Sequence, residues 1–231
     1  FLSDYHQLPT DRIEIIPNGV SVELFDDMTI EKKLQLVEWG RLHWSSSLDR
    51  GLDNAIACLP WILEKCPDIK IHCWYGFANW EASARSRNDT NELHKIEELK
   101  KQIDALKDHV VFYGRVNQVE LAANWKKAWC LFYPTQFTET HYNTGVECLA
   151  SFTVPVTSNV AALETTIGDY GIRVMDHPYS REGRQAFIDN LVGLYHNKDL
   201  WIEKAIKAHK GVEDRNYRFS AVWKTFWEKY L

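Results

Sequence analysis

The chain has 231 residues, 45% of them apolar and 26% charged, enough to bury one sizeable core, which excludes a disordered segment. Its 27 basic and 32 acidic residues leave a net charge of -5, so a general electrostatic grip on nucleic acid or anionic membrane is excluded and any anion site has to be local. Five cysteines (Cys58, Cys66, Cys73, Cys130 and Cys148) are an odd number without C-x-x-C pairing, which predicts reduced, buried thiols in a cytosolic protein and no metal site; no apolar stretch approaches the roughly 20 residues of a membrane span.

Along the chain, apolar runs that read as strands alternate with stretches of helical spacing. Residues 33–39 form the first run, closed by Gly40 and Arg41, and residues 52–65 then carry helical spacing up to a stop at Pro67 and Asp68. The second strand, 70–75, ends in Gly76; a polar loop over 79–91 leads to a charged helix over 92–107. The third, 109–113, ends in Gly114 and precedes a helix over 118–127. Runs at 131–133, 154–157 and 172–174 complete about six strands, with helices near 143–151, 161–167 and 184–195. Such alternation predicts a doubly wound α/β fold, a Rossmann-like parallel sheet with helices on both faces. The tail, 200–231, reads as two helices, the last with Trp223, Phe226, Trp227 and Tyr230 on one face that packs outside the sheet. Ten tryptophans, spread rather than repeated, read mainly as core and helix-packing residues, although exposed indoles also suit sugar rings.

Three signals fall at predicted strand ends, where open parallel sheets bind ligands. Gly40-Arg41, a polar loop over 43–49, and Arg50-Gly51 opening a helix place two guanidinium groups near a helix N-terminus, a diphosphate site in form; the alternative is that Arg41 pairs with Asp49 and Arg50 is solvated. The loop has neither G-x-G-x-x-G nor a Walker pattern, so neither a nicotinamide cofactor nor a Walker-type ATP site is indicated. Gly114, followed by Arg115 and Val116, either opens the backbone to a heterocyclic base or only permits a turn. The third signal is E-T-H-Y-N-T-G-V-E, two carboxylates at Glu139 and Glu147 around a strand-to-helix turn, each able to accept two hydroxyl hydrogen bonds, so that one bound polyol could meet both.

In order and spacing, these segments resemble the carboxyl-terminal, nucleotide-sugar-binding domain of GT-B glycosyltransferases, specifically the retaining family 4 enzymes. The likeness covers nearly the whole chain: I-E-I-I-P-N-G-V at 13–20, E-W-G-R-L at 38–42, S-S-L-D-R-G-L at 46–52, V-F-Y-G-R-V at 111–116, Y-P-T-x-F-x-E-T at 133–140, V-E-C-L-A at 146–150 and V-P-V-T-S at 154–158. The resemblance implies a donor domain spanning 1–231. Arg41 and Arg50 would hold the diphosphate and stabilise charge on the leaving group, with Arg50 where many relatives have lysine. Glu139 would contact hydroxyls of the transferred sugar and Glu147 the ribose diol. Gly40, Gly114, Arg115 and Val116 would border the nucleotide, and backbone N–H groups around Tyr142, Asn143 and Thr144 would face the phosphates. Where the family commonly has Gly-Phe-Gly after the first glutamate, this chain has Thr140, His141 and Tyr142; His141 is either a hydrogen-bonding group for donor or a structural histidine.

The resemblance further implies no cofactor beyond the donor substrate, metal-independent chemistry in the cytoplasm, and a closing helix over 216–231 that crosses to an acceptor-binding amino-terminal domain outside this chain. The acceptor, a glycan, lipid or protein, would bind there. The competing expectations are a non-catalytic nucleotide-sugar, glycan or partner-docking module, and an epimerase or phosphorylase on the same fold. Asn88-Asp89-Thr90 matches the N-glycosylation pattern incidentally.

Overall fold

The first strand does not lie where the hydrophobic run placed it. In the computed structural model, which describes residue 9 and residues 16–230, residues 33–36 belong to helix α1 (Ile30–Leu36), and strand β1 is Arg41–Trp44. Ile13, Glu14 and Ile15 of the first resemblance segment lie outside the described residues, as do Leu231 and the side chain of Tyr230. The cause of the shift is local. Thr29 caps the helix by accepting a hydrogen bond from the Lys32 amide at 3.2 Å, and Lys33 is fully buried on the inner face. Its ammonium donates to the Trp125 carbonyl at 3.1 Å and to Thr153 Oγ1 at 2.8 Å, and burial lowers its pKa to about 7. Gly40, at φ 82°, then turns the chain into β1, whose four residues Arg-Leu-His-Trp are all buried although only one is aliphatic. A buried strand of that composition gives no apolar run to read.

The other strands follow the expected order: β2 (Lys70–Cys73), β3 (Val110–Phe112), β4 (Cys130–Tyr133), β5 (Val154–Ser158) and β6 (Ile172–Val174). All pairings are parallel, in the order β3-β2-β1-β4-β5-β6, with registers such as Leu42 opposite Ile71 and Phe132 opposite Val156. The helices between them are α2 (Leu52–Leu63), α3 (Ala78–Ser86), α4 (Thr90–Ala105), α5 (Gln118–Lys127), α6 (Asn143–Ala150) and the short α7 (Leu163–Thr166). Helix α3 replaces most of the polar loop expected over 79–91. It buries only Ala84 and is held by the Trp80 indole donating to Glu92 Oε1 at 2.9 Å, so its sequence carries little apolar periodicity.

Three helices close the chain: α8 (Arg181–His196), α9 (Lys198–Arg215) and α10 (Phe219–Tyr230). The core runs along the whole sheet and contains Trp44, Trp125, Trp129 and Trp201, all buried, whereas Trp61, Trp223 and Trp227 are exposed. All five cysteines are buried and free. No helix of the described residues is long and apolar enough to cross a membrane.

The strand order places a switch point between β1 and β4. Chain leaving β1 runs outward to β2 and chain leaving β4 runs the other way to β5, so right-handed crossovers send α2 and α6 to opposite faces. A crevice opens where the two connections part, beyond the carboxyl ends of the two strands.

Candidate functional site

The loops that bound this crevice are the segment after β1, through Ser45, Ser46 and Ser47 to a 3-10 turn at Leu48–Arg50, and the segment after β4, through Glu139 to α6. Gly51 lets them approach: it has φ 109°, and a Cβ there would stand 3.0 Å from the Pro134 carbonyl oxygen. That approach brings Arg50 onto Glu139. One guanidinium nitrogen, Nη1, lies 3.1 Å from both carboxylate oxygens, and the ring of Phe137 stacks 4.2 Å below the guanidinium carbon. Glu139 is buried and also accepts from the Tyr133 hydroxyl at 2.8 Å, while Arg50 keeps 36% of its side chain exposed. Burial and the neighbouring Glu139 carboxylate raise the Tyr133 pKa, so its hydroxyl stays a donor. The pair is a fixed carboxylate with a half-open cation over it.

A second part of the crevice is a cleft of about 480 Å³ lined by Ser45, Trp74, Tyr75, Arg115, Val116, Gln118, Asn143, Thr144 and Glu147, among others. Arg115 leans over the Tyr75 ring at 5.0 Å and donates to its hydroxyl at 3.0 Å. Gly114 turns off β3 at φ 74° with open space around it. Glu147 is buried in the second turn of α6. Its Oε2 accepts from the Trp125 indole at 3.1 Å and its Oε1 from Gln118 Nε2 at a longer 3.4 Å. Burial pushes its pKa up to about 7 against these two hydrogen bonds, which pull the other way. Glu139 does not line this cleft; it faces Arg50 and the Tyr133 hydroxyl instead.

Between the two parts lies the N-terminus of α6. Its N-cap, Tyr142, gives no capping side-chain bond, whereas α4, α5, α8 and α9 are capped by Asp89, Asn117, Ser180 and Asn197. The Tyr142 ring is turned inward, buried and stacked on Tyr133 with ring centres 4.7 Å apart. The Gly145 amide donates to the Tyr142 carbonyl at 2.9 Å, so the donor capacity of the first turn rests with the Asn143 and Thr144 amides, at the positive end of the helix dipole and on the cleft wall. Thr140 is exposed on the connecting loop. His141 bonds Asn143 Oδ1 through Nδ1 at 2.8 Å, lies edge-on to Tyr217, and has a buried Nε2 without a partner.

Two of the sequence candidates are not brought here. Gly40 and Arg41 precede β1 or open it, at the end of the strand away from the crevice, because the strand begins eight residues later than its apolar signal. Arg41 is buried, donates to Glu38 and to Asn124 Oδ1 at 2.8 Å, and lies 5.4 Å over the Trp74 ring. The residues that do follow the strand, Ser45 to Ser47, belong to the polar loop expected over 43–49, of which His43 and Trp44 are strand instead. Gln118 and Trp125 were missed; standing seven apart on α5, they share one face two turns long, a spacing visible in the sequence but without a partner until α6 is in place. Among the described residues no cluster of three His, Cys, Asp or Glu side chains could hold a metal.

No protein-family model matches the chain, and no curated protein matches it in sequence. Solved structures do match in shape. A glycosyltransferase from Rickettsia africae ESF-5 superposes with a TM-score of 0.73 at 16% identity over 99% of this chain and 59% of that one. The HepE protein of Anabaena, solved with UDP and glucose, gives 0.72 at 14% identity over 96% and 57%. The carboxyl-terminal domain of a group 1 glycosyl transferase, LpcC, from Francisella tularensis gives 0.62 at 16% identity over 87% of this chain and 99% of that domain. The chain has the fold of the carboxyl-terminal half of GT-B glycosyltransferases, and it spans less than two thirds of the Rickettsia and Anabaena chains.

Proposed function

We propose that this chain is the donor-binding half of a family 4 GT-B glycosyltransferase, which moves a sugar from a nucleoside diphosphate to an acceptor hydroxyl with retention of configuration. The observation that carries the reading is the placement of the Arg50–Glu139 pair and the Glu147 cleft on either side of one uncapped helix N-terminus at the switch point of the sheet. A nucleoside diphosphate sugar has the same three parts in the same order. The nucleoside would lie in the cleft against Arg115 and Val116 with its ribose hydroxyls on Glu147, the diphosphate on the Asn143 and Thr144 amides, and the sugar at Glu139.

In the transfer, the bond from the anomeric carbon to the diphosphate oxygen breaks as one to the acceptor oxygen forms on the same face. The negative charge then grows on the diphosphate, where Arg50 and the helix N-terminus stabilise it, and the leaving phosphate takes the acceptor proton. No enzymic nucleophile, metal or cofactor is required. Arg41 has no part in this reading. The acceptor would be bound by an amino-terminal domain, met across α10. That HepE was solved with UDP and glucose supports a nucleotide-sugar donor. A non-catalytic docking module is the second reading, favoured only by the exposed Phe219, Trp223 and Trp227 of α10.

The roles of the two carboxylates are separable by calorimetry. Glu147→Ala is expected to weaken binding of the free nucleotide and of its sugar conjugate alike, by about tenfold or more, whereas Glu139→Ala weakens only the conjugate. Equal effects of both on both ligands would undo the assignment.

A further inference from the structure

Trp125 is fully buried in α5, and nothing in the donor-site reading requires an indole there. One face lies on the imidazole of His43, ring centres 3.5 Å apart and 21° from parallel; the other face of His43 lies on Trp74 at 4.1 Å and 16°; Trp74 lies on Tyr113 at 5.0 Å and 8°. Four rings, from β1, α5 and the residues just after β2 and β3, thus form one stack, and Trp74 is also part of the cleft wall. His43 is the odd member. It is completely buried, neither ring nitrogen has a hydrogen-bond partner, and burial together with nearby Arg41 and Lys33 drives its pKa well below the usual value. An unpaired buried imidazole is costly to retain, and a native protein that keeps one has a reason elsewhere.

The reason visible here is the direction of one bond. Held in the stack, the Trp125 ring cannot turn, and its Nε1–H points at Glu147 Oε2. The other oxygen, Oε1, is held only by the 3.4 Å contact from Gln118, a residue that itself lines the cleft. We propose that Trp125 is a positioning residue for Glu147: its indole clamps one carboxyl oxygen so that the other is the acceptor offered to the ligand, and the aromatic stack fixes the clamp. The purpose of that acceptor, a ribose diol, rests on the donor-site reading; the clamp itself does not.

The clamp couples Trp125 to the proton on Glu147, because an indole N–H bonds a carboxylate more strongly than a protonated carboxyl. Few other groups bear on that proton. Arg115 lines the same cleft, Cys148 is next in the helix with its thiol pushed far up by burial, and Lys33 reaches the Trp125 carbonyl rather than the indole.

The test uses the whole chain, labelled with ¹⁵N in its indoles and ¹³C in its glutamate carboxyls, titrated by NMR from pH 4.5 to 9. The Trp125 indole resonance, identified by its loss in Trp125→Phe, is expected to move with the same near-neutral midpoint as the Glu147 carboxyl and to stay flat in Glu147→Gln. Trp125→Phe keeps the ring and removes the donor, and is expected to raise the Glu147 midpoint by about one pH unit. An indole that ignores the Glu147 titration, or a midpoint unmoved in Trp125→Phe, would overturn the clamp. Should that variant not fold, the wild type and Glu147→Gln decide the question, since the responding indole then appears in one and not the other. Addition of UDP, GDP, ADP and dTDP in turn separates the two levels: a coupled titration with no nucleotide response leaves the clamp standing and removes the donor-site reading.

Discussion

Arg50 and Arg41 carry the same charge, yet Arg41 opens β1 while Arg50 closes the 3-10 turn beyond that strand's other end. Arg50 is half open above Glu139, so a diphosphate can replace or share its carboxylate; Arg41 is buried, with its two terminal nitrogens engaged by Glu38 and Asn124 and its Nε without a partner. Arg50→Ala is therefore expected to weaken nucleoside diphosphate binding about tenfold or more, and Arg41→Ala to leave the affinity within twofold while costing about 1–3 kcal/mol of stability, since it leaves Asn124 and the half-exposed Glu38 without their partner. Calorimetry and urea denaturation on the two variants check this. Glu147 makes a second residue-level prediction. Burial raises its pKa to about 7 in the fold, against the ordinary glutamate value of 4.5, so the folded state holds a proton that the unfolded state has lost between those values. Its contribution to stability is present below pH 4.5 and disappears as pH rises to 7, with a slope of at most about 1.4 kcal/mol per pH unit. Across that window the wild type should lose stability relative to Glu147→Gln, read as the difference between their urea midpoints, a comparison that cancels the opposite contribution of the buried His43 and His72, whose lowered pKa values favour the fold as pH rises. The placement of Glu139, Glu147 and Arg50 around one strand-end crevice was legible from residue type and order; the misplacement of Arg41 was not avoidable from the apolar pattern, because β1 buries an arginine and a histidine in place of aliphatic residues.

Among the elements, those with a clean period were read to within a few residues. Helix α5 has the expected limits, and β5 gains one residue. The two failures have one cause in common, a side chain satisfied by tertiary contact rather than by pattern. Lys33 makes α1 look like a polar-interrupted strand until Thr153 and the Trp125 carbonyl receive its ammonium, and α3 shows almost no apolar face because it leans on α4 alone. The connection between β1 and α2 depends on Gly51, which is left-handed and pressed against Pro134 and Thr135. Gly51→Ala introduces a Cβ into both constraints and is expected to cost about 1–3 kcal/mol. It should also loosen Arg50 from Glu139, seen as a loss of diphosphate affinity larger than the change in melting temperature accounts for. An unchanged affinity in a destabilised variant would mean that this loop does not set the arginine.

Across the molecule, the two ends of the described chain meet. Val20 and Arg218 form a parallel bridge, Arg218 pairs with Asp26, and Asn18 donates to Asn143 Oδ1 at 3.2 Å, at the start of α6. Asn18 thus ties the segment bridged to Arg218 to the helix that the donor reading places against the phosphates. Beside them, Phe219, Trp223 and Val222 of α10 line an apolar recess with Ile16 and Pro17. The order of motifs was enough to identify the architecture because a doubly wound sheet binds beyond the carboxyl ends of its strands at the switch point whatever its side chains are; where β1 begins, and so which arginine lies past its carboxyl end, came only from the structure. The most direct test of the account is calorimetric titration of this chain with UDP, GDP, ADP and dTDP, with and without magnesium, in the wild type and in Arg50→Ala and Glu147→Ala. One nucleotide should bind selectively and without magnesium, and lose affinity in both variants. Binding that survives both substitutions, or no binding of any nucleotide at millimolar concentration, would contradict a donor site in this crevice.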